Sequence, residues 1–137
     1  MSVIKSKRTE ATLSVVTKAE ELVVYTMRIA CNEKRLPKRY RWCITAKIVN
    51  EAQEMLRKLT FANSIKVESA ADWQRRRVMQ SEAMAHTFCL LTEINLAYKV
   101  FCIPANTVQF WTGQIMEVQR LLKAWQKSDT ARYGALC

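Results

Sequence analysis

The chain has 137 residues, 50% of them hydrophobic, with two Gly and two Pro; this suits one compact domain with a core and leaves too few turn residues for a sandwich or barrel. Lys and Arg number 22 against 12 Asp and Glu, a net charge of +10, so a polyanion or an acidic protein face is the natural partner. The longest uncharged run, residues 100–116, is too short for a bilayer and is broken by Pro104, and residues 1–10 carry charge with no apolar stretch behind them; the expectation is a soluble, cytoplasmic chain that touches no membrane.

The first helix is predicted over residues 18–34, after a flexible basic N-terminus. Thr17 and Glu20 have capping-box spacing, and Leu22, Tyr25 and Ile29 recur at helical intervals. Leu36-Pro37 ends it. Helix two, residues 38–63, carries Ile44, Ile48, Ala52, Met55, Leu59 and Ala62 in one stripe when positions advance by about 100° per residue. Ser69 with Asp72 three residues later starts helix three, residues 69–102, whose stripe reads Trp73, Met84, Phe88, Leu91, Tyr98 and Cys102; Asn95 falls in that stripe and reads as a buried, register-fixing amide. Pro104 opens helix four, residues 104–127, with Trp111, Ile115, Val118, Leu122 and Trp125 on one face, before a fraying tail over 128–137. Short links between four helices predict a single all-α domain over 1–137, an up-down-up-down antiparallel four-helix bundle.

Helix two has a second apolar recurrence, Trp42, Val49 and Leu56, and helix three has Ala83, Leu90 and Ala97. Two readings stay open: wide faces used inside a monomer, or a subunit contact with Trp42, Val49 and Leu56 as a possible oligomer interface. Five cysteines, odd in number and without a CxxC pair, indicate a reducing compartment and small core or boundary residues.

The charge gathers at both ends of such a bundle. Lys34, Arg35, Lys38, Arg39 and Arg41 crowd the junction of helices one and two, with Glu33 as the one acid there. The other end is basic but mixed, and Arg75, Arg76 and Arg77 near the start of helix three are its densest run. A cation at a helix N-terminus opposes the macrodipole at about 0.3–1 kcal/mol each, so an anionic ligand would explain the placement better than stability does. The competing reading is a solvated basic face that keeps the protein dispersed. No zinc-finger spacing, RNP-like strand, GxxG clamp or recognition helix accompanies the charge, so contacts would go to phosphates and shape, with strong salt dependence.

Catalysis is not expected. The one histidine, His86, has no triad arrangement in sequence, and His86 with Cys89 supplies two metal ligands where a site needs more. Paired ExxH di-iron ligands are missing, as are GxxxxGK[ST] and GxGxxG loops, so no metal, cofactor or enzymatic activity is predicted.

The helix-one segment 21–29, the turn Leu36-Pro37-Lys38-Arg39, the run 44–63 and the closing Leu121-Leu122-Lys123-Ala124-Trp125 together resemble a family of bacterial and phage four-helix-bundle proteins. That family includes the accessory variability determinant of diversity-generating retroelements and, more distantly, the proteins encoded in intervening sequences of bacterial large-subunit ribosomal RNA genes. The resemblance covers roughly residues 18–127. The ribosomal branch shows a Phe-Pro turn and an Asn-Ile-Ala-Glu-Gly-like end to helix two, where this chain has Leu36-Pro37 and Ala62-Asn63-Ser64-Ile65; the retroelement branch is favoured. It implies a homopentamer that binds RNA or DNA and associates with the retroelement's reverse transcriptase in making mutagenic cDNA. It also makes Lys38, Arg39 and Arg41 the first contact candidates, whereas Arg75, Arg76 and Arg77 rest on charge alone. The alternative is a structural protein-interaction module of the ribosomal intervening-sequence type, without affinity for nucleic acid.

Overall fold

The computed structural model describes the backbone of residues 3–136 and the side chains of residues 14–136. Four long α-helices and no strand occur among the described residues: α1 (Val3–Ala30), α2 (Ala46–Ser64), α3 (Ala70–Val100) and α4 (Ala105–Tyr133). A 3-10 turn (Lys38–Tyr40) and a π-helical turn (Arg41–Thr45) lead into α2, and a second 3-10 turn (Gly134–Leu136) follows α4. None of the helices is long and apolar enough to cross a membrane.

The helix α1 begins earlier than predicted. Residues 3–30 contain no Gly or Pro to stop it, so the Thr17 and Glu20 spacing marks no start. Helix from Val3 occupies most of the stretch that was predicted to precede it, and Met1, Ser2 and Cys137 lie outside the described residues. At its other end α1 stops at Ala30, four residues short of expectation. The Asn32 side-chain oxygen accepts from the Lys34 amide at 3.1 Å, a local bond that competes with helix, and the Asn32 carbonyl accepts from Leu36 at 3.0 Å. The start of α3 is as predicted: Ser69 Oγ accepts from the Asp72 amide at 3.2 Å, and the Asp72 carboxylate accepts from the Glu68 amide at 3.1 Å.

Burial runs along seams spaced alternately three and four residues. On α1 the seam is Val15, Ala19, Leu22, Thr26 and Ile29; on α2 it is Ile48, Ala52, Met55, Leu59 and Ala62. On α4 it is Val108, Trp111, Ile115, Val118, Leu122, Trp125 and Asp129. This is the 3.5-residue repeat of helices that wrap around one another. The predicted stripes of α2 and α4 fall on these seams, with Ile44 half-buried against the core. Helix α3 departs from prediction. Its buried residues are Trp73, Gln80, Ala83, Thr87, Leu90, Ile94 and Ala97, while Phe88, Asn95, Tyr98 and Cys102 are exposed and Met84 and Leu91 flank the core. A 100° advance drifts by about 20° per heptad from a 3.5-residue seam, and over a helix of this length the two separate. Ala83, Leu90 and Ala97, read as a second face, are therefore the core itself.

The helices α1 and α3 each touch both α2 and α4. Small polar groups in the core are paired across these contacts. Trp111 Nε1 donates to Thr26 Oγ1 at 3.0 Å, and Gln119 Nε2 donates to Thr87 Oγ1 at 3.0 Å. Each threonine in turn donates to a carbonyl of its own helix, so neither hydroxyl is stranded.

Candidate nucleic-acid interface

The junction between α1 and α2 is held by two anchors. Leu36 is buried within the core, and the Tyr40 ring meets Phe101 edge-on at 5.0 Å. Between and beside these anchors the chain presents its cations. Lys34, Lys38, Arg39 and Arg41 are exposed, and Arg35 is half-buried. None of the five forms an ion pair within 4.0 Å of a described residue. Arg39 lies over the Tyr40 ring at 5.6 Å, and Arg35 is close enough to Tyr25 to offset part of the rise that burial imposes on that phenol's pKa.

Beside these cations lies an open cleft of about 610 Å³, whose lining includes Met27, Leu36, Lys38, Arg41, Trp42 and Val49. Its geometry depends on the π-helical turn. The Ala46 amide donates to the Arg41 carbonyl, five residues back, which places one extra residue in that turn and rotates everything before it relative to α2. This breaks the seven-residue recurrence of Trp42, Val49 and Leu56. Leu56 packs on the core and Val49 is half-buried, whereas Trp42 is 83% exposed. The three do not form one outward apolar face. Thr45, at the end of the same turn, has a buried hydroxyl without a hydrogen-bond partner among the described residues.

The second predicted cluster is divided by the structure. Arg75 and Arg77 are exposed, with Arg75 4.0 Å from Asp72 and its guanidinium 6.0 Å from the centre of the Phe61 ring. Arg76 turns inward instead, which corrects its reading as a contact residue. Its side chain is 11% exposed and its Nε lies 3.3 Å from Asp129, an ion pair without hydrogen-bond alignment. The guanidinium stacks over Trp125 at 5.3 Å and Tyr133 at 5.9 Å. Neighbouring cations at this end are also countered, with Lys58 3.8 Å from Glu82 and Lys66 3.3 Å from Glu68. The α1–α2 junction thus holds five cations without an ion pair among the described residues, whereas in the Arg75 to Arg77 run two of the three are paired and Arg77 is not.

Sequence reasoning takes Asp129 only as one of the acids that dilute the second basic end, because it falls in the predicted tail, and misses its burial. It is 1% exposed, accepts from Gln80 Nε2 at 2.9 Å, and lies 3.6 Å from Arg132. The signal was present: Asp129 continues the spacing of Leu122 and Trp125, and Arg76 precedes Gln80 and Ala83 by the same alternation.

His86 Nδ1 lies 2.6 Å from a Glu51 carboxylate oxygen, tying α3 to α2 at the edge of the core. No group of three or more His, Cys, Asp or Glu suited to holding a metal occurs among the described residues. Cys31, Cys43, Cys89 and Cys102 are all exposed free thiols, not the core or boundary residues predicted, since none of them falls on a seam. Scans of protein-family models, of curated proteins and of solved structures return no match to this chain.

Proposed function

We propose that this chain is a non-catalytic, basic accessory protein that binds RNA or DNA through phosphate contacts and associates with the reverse transcriptase of a diversity-generating retroelement, supporting mutagenic cDNA synthesis. The observation that carries the nucleic-acid half is the α1–α2 junction, where Lys34, Arg35, Lys38, Arg39 and Arg41 follow one another over residues 34–41 with no ion pair among the described residues. Uncompensated cations at the start of a helix are what a phosphate backbone neutralises. The retroelement half rests on the resemblance in the turn Leu36-Pro37-Lys38-Arg39, the run 44–63 and the closing helix.

The proposal includes an up-down-up-down antiparallel bundle. Its support is the pairing order: Glu51 of α2 meets His86 of α3, while Lys58, further along α2, meets Glu82, further back along α3. It also includes self-association, pentameric by resemblance. Exposed large apolar side chains on two helices, Phe88 and Leu96 of α3 and Phe110 and Met116 of α4, supply surface for subunit contacts. The same side chains favour a second reading, a protein-interaction module without nucleic-acid affinity.

Co-expression separates the two. The accessory reading expects the reverse transcriptase to co-purify with this chain and cDNA synthesis to stop when the chain is omitted, with RNA binding that weakens steeply as salt rises. A chain that binds no RNA or DNA at low salt selects the interaction module.

A further inference from the structure

We infer that Trp42 is a stacking platform for an unpaired nucleobase, with Lys38 and Arg41 holding the flanking phosphates, so that this chain prefers single-stranded over duplex nucleic acid. The inference deepens the nucleic-acid reading above and rests on it. Among the described tryptophans, Trp73, Trp111 and Trp125 are buried in the core, and Trp42 alone is left in water, 83% exposed. An indole that gives its apolar surface to the solvent contributes little to folding, so its place calls for another explanation.

Three features of the surrounding cleft match one ligand class. Trp42, Lys38 and Arg41 line the same opening of about 610 Å³, inside the range of roughly 300–1,000 Å³ common for ligand clefts. An aromatic face beside uncountered cations is the arrangement by which proteins hold single strands, the ring taking a base and the cations its phosphates. In the same lining, the buried Thr45 hydroxyl lacks a partner among the described residues, and exposed Glu33 offers a carboxylate at the surface. A base edge, which carries both donors and acceptors, satisfies both groups, whereas a lipid tail or an apolar peptide face satisfies neither. A base inside a duplex stays stacked on its neighbours and cannot lie on the indole, hence the single-strand preference.

Charge decides against a two-fold contact between copies centred on this cleft, which would set Lys38 and Arg41 against their own equivalents.

The test compares wild type, Trp42→Ala and Trp42→Phe, each checked by circular dichroism and by mass from light scattering, for binding to oligo(dT), oligo(U) and a DNA duplex of equal length. Wild type is expected to bind both single strands more tightly than the duplex, with quenching of the exposed tryptophan's emission on binding. The Trp42→Ala variant is expected to lose about 5- to 150-fold in single-strand affinity with little change on the duplex and an unchanged salt slope, and Trp42→Phe to recover most of the loss. Wild-type single-strand affinity in Trp42→Ala, or absence of quenching in wild type, overturns the platform while leaving phosphate binding intact. A fall in oligomer mass on Trp42→Ala overturns it in favour of a subunit contact. Wild type that binds neither strand form at low salt overturns this inference together with the reading beneath it.

Discussion

Replacing Asp129 by Ala removes the acid from the buried ion-pair cluster that joins α3 to the last turns of α4. In the folded chain the Asp129 carboxylate is 1% exposed, takes a 2.9 Å hydrogen bond from Gln80 and faces Arg76 at 3.3 Å and Arg132 at 3.6 Å. Its removal leaves the Arg76 guanidinium, 11% exposed, without its countercharge and Gln80 without its acceptor. Breaking a buried pair from one side costs about 3–5 kcal/mol, because the remaining ion is still desolvated. Two features hold the cost toward the lower bound. Arg76 keeps its stacking on Trp125 and Tyr133, and Arg132 is partly in water. A loss of about 3 kcal/mol is a large share of the roughly 5–15 kcal/mol that holds a typical domain, and for a chain of this length it lowers Tm by about 10 °C. Urea and thermal unfolding followed by circular dichroism measure it. The Asp129→Asn variant, which keeps an oxygen for Gln80, should lose less. A change below about 0.5 kcal/mol for Asp129→Ala would refute the reasoning and restore the picture of a frayed end after residue 127.

Leu59→Ala, at a fully buried seam position of α2, should cost about 2–5 kcal/mol in the same assay and weaken binding only through unfolding. Asn95→Ala should change stability by less than about 0.5 kcal/mol, since the side chain is exposed; a large loss would return Asn95 to the core. Light scattering coupled to size exclusion should give an oligomer, and a concentration-independent monomer mass would remove the pentamer from the account.

How much of this was legible depends on how far each helix runs and on what occupies its seam. In α2 and α4 the seam is largely apolar, and Ile48 to Ala62 or Trp111 to Trp125 stand out under any helical period. In α3 the seam carries small Ala83 and the polar Gln80 and Thr87, and the burial of these two is made possible by partners on α4 that sequence spacing does not reveal. There the exposed Phe88 and Tyr98 outweighed the true seam. The cationic turn was readable as composition, and of its five candidate residues Lys38 and Arg41 line one cleft. Arg76 was not separable from Arg75 and Arg77 without knowing that Asp129 lies opposite. The π-helical turn that rotates Trp42 away from Val49 and Leu56 left no mark in the residue pattern.

The central claim is that the uncountered charge at the α1–α2 junction binds nucleic acid, and it is tested most directly by RNA binding of wild type and a Lys38→Gln, Arg39→Gln, Arg41→Gln variant across a salt series. All three side chains are exposed, so folding should be unchanged or slightly firmer, by a few tenths of a kcal/mol each, as cations leave a helix start. The account predicts native circular dichroism and oligomer mass, weaker RNA affinity, and a log-log salt slope less steep by about 0.7–0.9 for each phosphate that the variant no longer neutralises. A triple variant with wild-type affinity and an unchanged slope would contradict it, leaving the densest uncountered charge among the described residues as solvated surface.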